Sequence, residues 1–241
     1  MLPSHQRRIV EDRAIRIILD RAREMLRHAA RPTHGVVDTF PASGELDLDA
    51  TLENVRPWQA TDLVLTRVEP READVVAVLD MSLSMTGEKI ALVALATAIL
   101  ALKLDPIGVV AFDTVAHEIA VVGEPVAPKE LVRRVLEVPA QGYTNIDAGL
   151  KMARDQLMRS TRRERVAILL SDGIANVGND PVDRAGQLPR LHVVQIGPDD
   201  RQGTRACKGM AGAGRGRLYR ATTYAQLPEV VHRLVREVFR A

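Results

Sequence analysis

A chain of 241 residues with 46% hydrophobic but only 3% aromatic side chains must fill its core with Val, Leu, Ile and Ala, the composition of parallel strands buried on both faces. A net charge of +2, from 33 basic and 31 acidic side chains, gives no general case for nucleic acid. One cysteine, Cys207, excludes a disulfide framework or a cysteine-based zinc site within the chain. No apolar run approaches the ~20 residues of a membrane span, and the N-terminus lacks the apolar stretch of a signal peptide. The expectation is a cytoplasmic protein.

Residues 5–30 read as one helix, with Val10, Ala14, Ile17, Ile18, Ala22, Met25, Leu26 and Ala29 as its apolar stripe. That stripe predicts packing on the rest of the chain, or docking to another protein. Residues 1–31 carry eight Arg against four acids, and residues 32–80 carry ten acids against three Arg, so the two stretches can pair or offer two faces to partners. Residues 31–61 hold Pro32, Gly35, Pro41, Gly44 and Pro57 without a sustained period and form a long connection. Residues 63–68 read as a strand ending at Pro70. The organisation expected is an N-terminal helix and acidic lead-in over 1–61, then a domain over 62–241.

From residue 73 the pattern is regular. Strands are expected at 74–79, 107–112, 115–121, 165–170, 191–196 and 216–220. Helices are expected at 88–102, 128–137, 145–158, 203–211 and 224–239. This alternation predicts an α/β fold: a Rossmann-like, doubly wound, mostly parallel six-stranded sheet with helices on both faces and one short antiparallel edge strand. Ligands of such sheets bind at the carboxyl ends of the strands, where the strand order reverses.

Two polar turns follow apolar runs, and a third opens a helix. Asp80-Met81-Ser82-Leu83-Ser84 follows Val75-Val76-Ala77-Val78-Leu79; Thr144 lies in Gln141-Gly142-Tyr143-Thr144-Asn145; Asp172 follows Leu169-Leu170-Ser171. In a doubly wound sheet they can converge as two carboxylates and three hydroxyls. No thiolate or imidazole belongs to the set, and all-oxygen ligation suits a hard cation: Mg²⁺ first, with Mn²⁺ or Ca²⁺ as alternatives. Helix capping explains Ser and Asp at any one of these turns, but not the three together. His117-Glu118 lacks the second His of a zinc-protease helix. The Gly209 to Gly216 run lacks the order of a phosphate loop, and Gly212 and Gly214 read as a turn before strand 216–220. Asp113, Asp147 and Asp199-Asp200 read as structural or exposed.

These three segments, in this order, resemble the von Willebrand factor A domain and its metal-ion-dependent adhesion site. The pattern there is D-x-S-x-S, a Thr in a Gly-rich turn and an Asp ending a later strand. All five positions match, and the likeness covers about residues 73–240. The resemblance implies that Ser82 and Ser84 bind the metal directly, Thr144 directly in the ligand-competent state, and Asp80 and Asp172 largely through waters. It also implies a partner protein whose Glu or Asp takes the sixth position. Gly44-Glu45-Leu46-Asp47-Leu48-Asp49-Ala50-Thr51-Leu52 looks like the lead-in of bacterial CoxE-like proteins, which implies a MoxR-type AAA+ ATPase or a chelatase-like complex as partner. No transmembrane helix is present, unlike membrane-bound relatives of that group.

The expected function is therefore metal-dependent protein binding rather than catalysis, without nucleic acid or a membrane span. The competing reading is a Mg-dependent phosphatase or phosphotransferase with Asp80 as nucleophile. Against it, the +2 residue is Ser82 where haloacid-type phosphatases need a second carboxylate.

Overall fold

A computed structural model describes residues 4–29, 45–46, 65–66, 73–104, 106–198, 200–223 and 225–238. Residues 1–29 and 72–241 form one compact unit and residues 30–71 a second. In the second, β1 (Glu45–Leu46) pairs antiparallel with β2 (Leu65–Thr66). Only those two residues of the strand expected at 63–68, and only Glu45 and Leu46 of the lead-in, are described.

The larger unit opens with α1 (Ser4–Ala29). Its strands are β3 (Ala73–Asp80), β4 (Gly108–Phe112), β5 (Ala116–Ala120), β6 (Glu164–Ser171), β7 (Leu191–Ile196) and β8 (Leu218–Ala221). Its further helices are α2 (Glu88–Lys103), α3 (Pro128–Glu137), α4 (Ile146–Arg159), α5 (Pro181–Gly186), α6 (Arg201–Ala213) and α7 (Leu227–Val238). The six strands lie in the order β5-β4-β3-β6-β7-β8, all parallel to their neighbours except β5, which runs antiparallel to β4 at the edge. The doubly wound sheet expected from the alternation is thus observed. The chain winds outward from β3 through β4 to β5, then returns to β6 on the other side, so β3 and β6 are neighbours at the switch point.

Period-two alternation puts Val75, Ala77, Leu79, Ile168 and Leu170 on one face with α1, α2, α3 and α7. Val76, Val78, Val110, Phe112, Ala167 and Leu169 face α4, α5 and α6. Ten consecutive α2 residues, Leu92 to Ala101, are buried, as expected of an apolar helix inside a layer.

The face of α1 differs from the expected stripe. Ile15, Leu19, Ala22 and Met25 are buried and belong to the core, whereas Val10 and Ile17 are 58% and 62% exposed. Positions 15, 19, 22 and 25–26 make one continuous helical face, and 10, 14 and 17 lie on its flank. The periodicity contained both stripes, and contact with α2, α3 and α7 selects one. Gly209 lies within α6, as expected of helix 203–211, whereas of the turn expected at Gly212 and Gly214 only Gly214 ends the helix, as its C-cap, and Gly212 falls inside it. Asp200 is exposed and caps α6 by accepting from the Gly203 amide at 2.7 Å. The short helix α5 carries too few residues to display a period.

Helix α4 approaches the sheet closely because Gly149 has no side chain. A Cβ there would sit 2.5 Å from the buried Phe112 ring. Gly149→Ala should gain about 1 kcal/mol of helix propensity but lose about 1–3 kcal/mol to overpacking. A lower midpoint in urea unfolding is expected, and a raised midpoint would show that the ring yields freely.

Candidate metal centre

The five residues come from three loops at the carboxyl edge of the sheet, centred on the β3/β6 switch point where such folds bind ligands. β3 delivers Asp80 in register with Phe112, and the Met81 amide donates to the Phe112 carbonyl at 2.8 Å. The chain then makes a 3₁₀ turn over Leu83–Met85, with Met85 N–H bonded to Ser82 O at 2.9 Å. The Thr144 turn is stitched to this loop: Gln141 N–H donates to Met81 O at 3.1 Å, and Leu83 N–H to Gly142 O at 3.3 Å. The third loop clasps Thr144. Asn176 accepts from the Thr144 amide through Oδ1 at 2.7 Å and returns its own N–H to Thr144 O at 3.1 Å. Asn145 caps α4, accepting from Ala148 N–H at 3.1 Å.

At the centre Asp80 is 0% exposed. Its Oδ1 accepts from the Ser82 hydroxyl at 2.6 Å and the Ser82 amide at 3.1 Å, and its Oδ2 from the Ser171 hydroxyl at 2.5 Å. The Ser82 and Ser84 hydroxyls lie 3.1 Å apart. Ser82 and Thr144 are buried and Ser84 is exposed, so the cluster opens outward at Ser84. Burial pushes the Asp80 carboxyl up to about 6, the hydrogen bonds from Ser171 and Ser82 oppose this, and the charge of Asp172 adds to it. All three donors to Asp80 are neutral.

Asp172 is 5% exposed. Its Oδ1 accepts from the Ile174 amide at 3.1 Å, and its Oδ2 pairs with Lys89 Nζ at 2.7 Å. Lys89 extends from the first turn of α2 past Gly197, where an added Cβ would lie 2.9 Å from Lys89 Cε. Ser171, Lys89 and Asn176 are participants that the sequence reading did not assign. Ser171 precedes Asp172 directly, but its bond to Asp80 depends on β3 lying beside β6. The residues set aside behave structurally: Asp113 closes the β4–β5 turn on Val115, His117-Glu118 lies in β5, and Asp147 accepts from Arg184 and Asn179.

Among the described residues no group of three or more His, Cys, Asp or Glu side chains is placed to hold a metal. The donor set is therefore hydroxyl-rich, with two carboxylates, which fits a hard cation and not a thiolate- or imidazole-loving one. A buried carboxylate with only neutral donors is what an adjacent cation would stabilise.

Cys207 lies behind the site. Burial pushes its thiol up to about 12, and the charges of Asp172 and Asp80 add to the effect. The folded protein should resist iodoacetamide at pH 8 and react fully once unfolded; rapid labelling of the native protein would contradict this placement.

The profile of the von Willebrand factor type A domain matches residues 74–233. No curated protein sequence matches the chain. Among solved structures, an aerotolerance-related membrane protein from Bacteroides fragilis is similar at 16% identity and a TM-score of 0.57, over 68% of this chain and 98% of that one. The vWF domain of the type V pili tip protein Mfa5 from Porphyromonas gingivalis is similar at 14% identity and a TM-score of 0.59, over 69% and 94%. A von Willebrand factor type A protein from Catenulispora acidiphila is similar at 19% identity and a TM-score of 0.57, over 73% and 44%. At such identities the likeness is one of fold. Domains of this family commonly serve protein interaction or adhesion and often bind a divalent metal. No helix among the described residues is long and apolar enough to cross a membrane. The profile spans the sheet from β3 to α7 and includes all three polar loops, so the chain belongs to the von Willebrand factor type A domain family.

Proposed function

We propose that the protein is a divalent-cation-dependent protein-binding module. Ser82, Ser84 and Thr144 would offer hydroxyl oxygens to Mg²⁺, with Asp80 and Asp172 as the carboxylates of the site. When bound, the metal supplies an electrophilic position for a Glu or Asp carboxylate of a partner protein. The observation that carries this reading is Asp80: a wholly buried carboxylate at the sheet's switch point, held by three neutral donors. The same geometry disfavours the phosphotransfer alternative. Both Asp80 oxygens are committed to hydrogen bonds and neither reaches solvent, whereas a nucleophile must meet its phosphorus.

On the likeness of residues 44–52 to CoxE-like lead-ins, the partner class proposed is a MoxR-type AAA+ ATPase or a chelatase-like complex, with this chain as its adaptor in protein or metallocofactor maturation. Calorimetric titration with Mg²⁺ and Mn²⁺ should show binding that falls at least about a hundredfold in Ser82→Ala/Ser84→Ala, an expected loss of about 2.7 kcal/mol. Capture of the ATPase should then require the metal. Metal-independent capture would overturn the adhesion reading, and failure to capture any such ATPase would overturn the partner class alone.

A further inference from the structure

A second site lies at the opposite end of the sheet from the polar loops. Asp80 and Ser171 end parallel strands, whereas Arg190 and His192 stand where β7 begins and Arg217 immediately precedes β8. With α7 these residues line a groove of about 770 Å³, within the ~300–1,000 Å³ of small-molecule sites. Five arginines and two glutamates contribute to its walls. Arg217 is paired with Glu237 at 2.6 Å and Arg233 with Glu229 at 2.6 Å. Arg215 turns its guanidinium to the Leu188 and Pro189 carbonyls. The guanidiniums of Arg190 and Arg236 make no ion pair or hydrogen bond among the described residues. The groove therefore holds an excess of positive charge, two of its cations uncommitted.

An independent observation comes from its floor. His192 is 1% exposed. Its Nδ1 accepts from the Arg217 amide at 3.2 Å, so the proton of the neutral ring is on Nε2. Burial holds the ring's pKa below its usual value and so favours that neutral form. Among the described residues Nε2 has no hydrogen-bond partner. Buried donors are rarely left unmet, and this one belongs to a residue that lines the arginine-rich groove.

We propose that this groove binds a small oligophosphate anion. Guanidiniums pair bidentately with phosphoryl oxygens. Five guanidiniums against two carboxylates leave more positive charge than one carboxylate ligand neutralises, which favours a ligand carrying several charges in a small volume. Free triphosphate and a nucleoside triphosphate share this chemistry.

The test is titration of the intact chain with inorganic tripolyphosphate and, separately, ATP, in Mg-free buffer, followed by calorimetry and amide chemical shifts. Saturable binding is expected with a Kd of about 10–100 µM at about 50 mM salt, weakening steeply as salt rises. Shifts should fall on the starts of β7 and β8 and on α7. Arg190→Ala/Arg236→Ala breaks no ion pair and should weaken binding at least tenfold with an unchanged melting temperature. His192→Gln, which keeps a side-chain N–H, should bind better than His192→Phe. If the His192 variants fail to fold, the double arginine variant still decides the matter. Equal affinity for both ligands supports recognition of the phosphates alone, and tighter ATP binding supports it with an added nucleoside contact. No saturable binding at about 1 mM, binding untouched by the double substitution, or binding confined to long polyanions such as heparin would overturn the proposal.

Discussion

Metal-free Asp80→Asn protein is expected to melt above the wild type at pH 8 and to lose the wild type's gain in stability on addition of Mg²⁺. Inside the fold the Asp80 carboxyl is pushed up to about 6, chiefly by burial, from its ordinary value of 3.8. A group whose folded pKa is raised contributes stability that is present below its unfolded pKa and lost as pH rises through the folded value. Two pH units correspond to about 3 kcal/mol, so the wild type carries roughly that cost above pH 7 when no cation is bound. Asn is neutral throughout and escapes it, though it replaces one acceptor for Ser82 or Ser171 with an NH₂ donor. A net gain of about 2 kcal/mol should raise the melting temperature by roughly 4–8 °C. The difference between variant and wild type should shrink as pH falls from about 6 towards 3.8, as the folded wild-type carboxyl takes up its proton. Melts in EDTA from pH 4.5 to 8 measure this difference directly and cancel the other titrating groups. A variant less stable than wild type at pH 8 would show that Asp80 serves the fold rather than a cation.

Lys89→Met should act in the opposite sense on the metal-free protein. Lys89 sits 2.7 Å from Asp172 Oδ2, with the two side chains 24% and 7% exposed. Removing the ammonium leaves a largely buried carboxylate without its cation, at a cost of about 2 kcal/mol. The same ammonium repels a divalent ion and occupies an oxygen of Asp172, so the variant should bind Mg²⁺ at least tenfold more tightly, about 1.4 kcal/mol. Calorimetry and melting with and without Mg²⁺ separate the two effects. Weaker metal binding in Lys89→Met would mean that Lys89 orients Asp172 for the ion rather than competing with it. Lys89→Arg, keeping the charge, should stay close to the wild type in both measurements.

The fold and the candidate residues were legible to different depths. Helix α3 and strand β7 fall at the expected residues: α3 opens at Pro128 and carries an apolar stripe at helical spacing, and β7 is a β-branched run that stops at Gly197-Pro198. Two of the polar loops stood out because an acid ended an apolar run, and the third because Thr144 follows Gly142 at the opening of a helix. The partners of those side chains did not stand out. Ser171 reads as one more residue of β6 until β3 is its neighbour. Lys89 reads as a first-turn lysine of an apolar helix until its stem passes Gly197 to Asp172. Arg190, His192, Arg217 and Arg236 are separated by up to some 46 residues, with no spacing that marks them as a set.

Read by itself, the chain determined the element order, the mostly parallel sheet and the identity of Asp80, Ser82, Ser84, Thr144 and Asp172 as the residues to watch. These follow from short-range periodicity and from the cost of placing polar groups after buried strands. Tertiary structure alone decided which face of α1 is buried, which neutral donors hold Asp80, which cation meets Asp172 and which arginines share a groove with an orphaned histidine. Each of these depends on strand order and helix packing, contacts between residues far apart in sequence that no local pattern encodes.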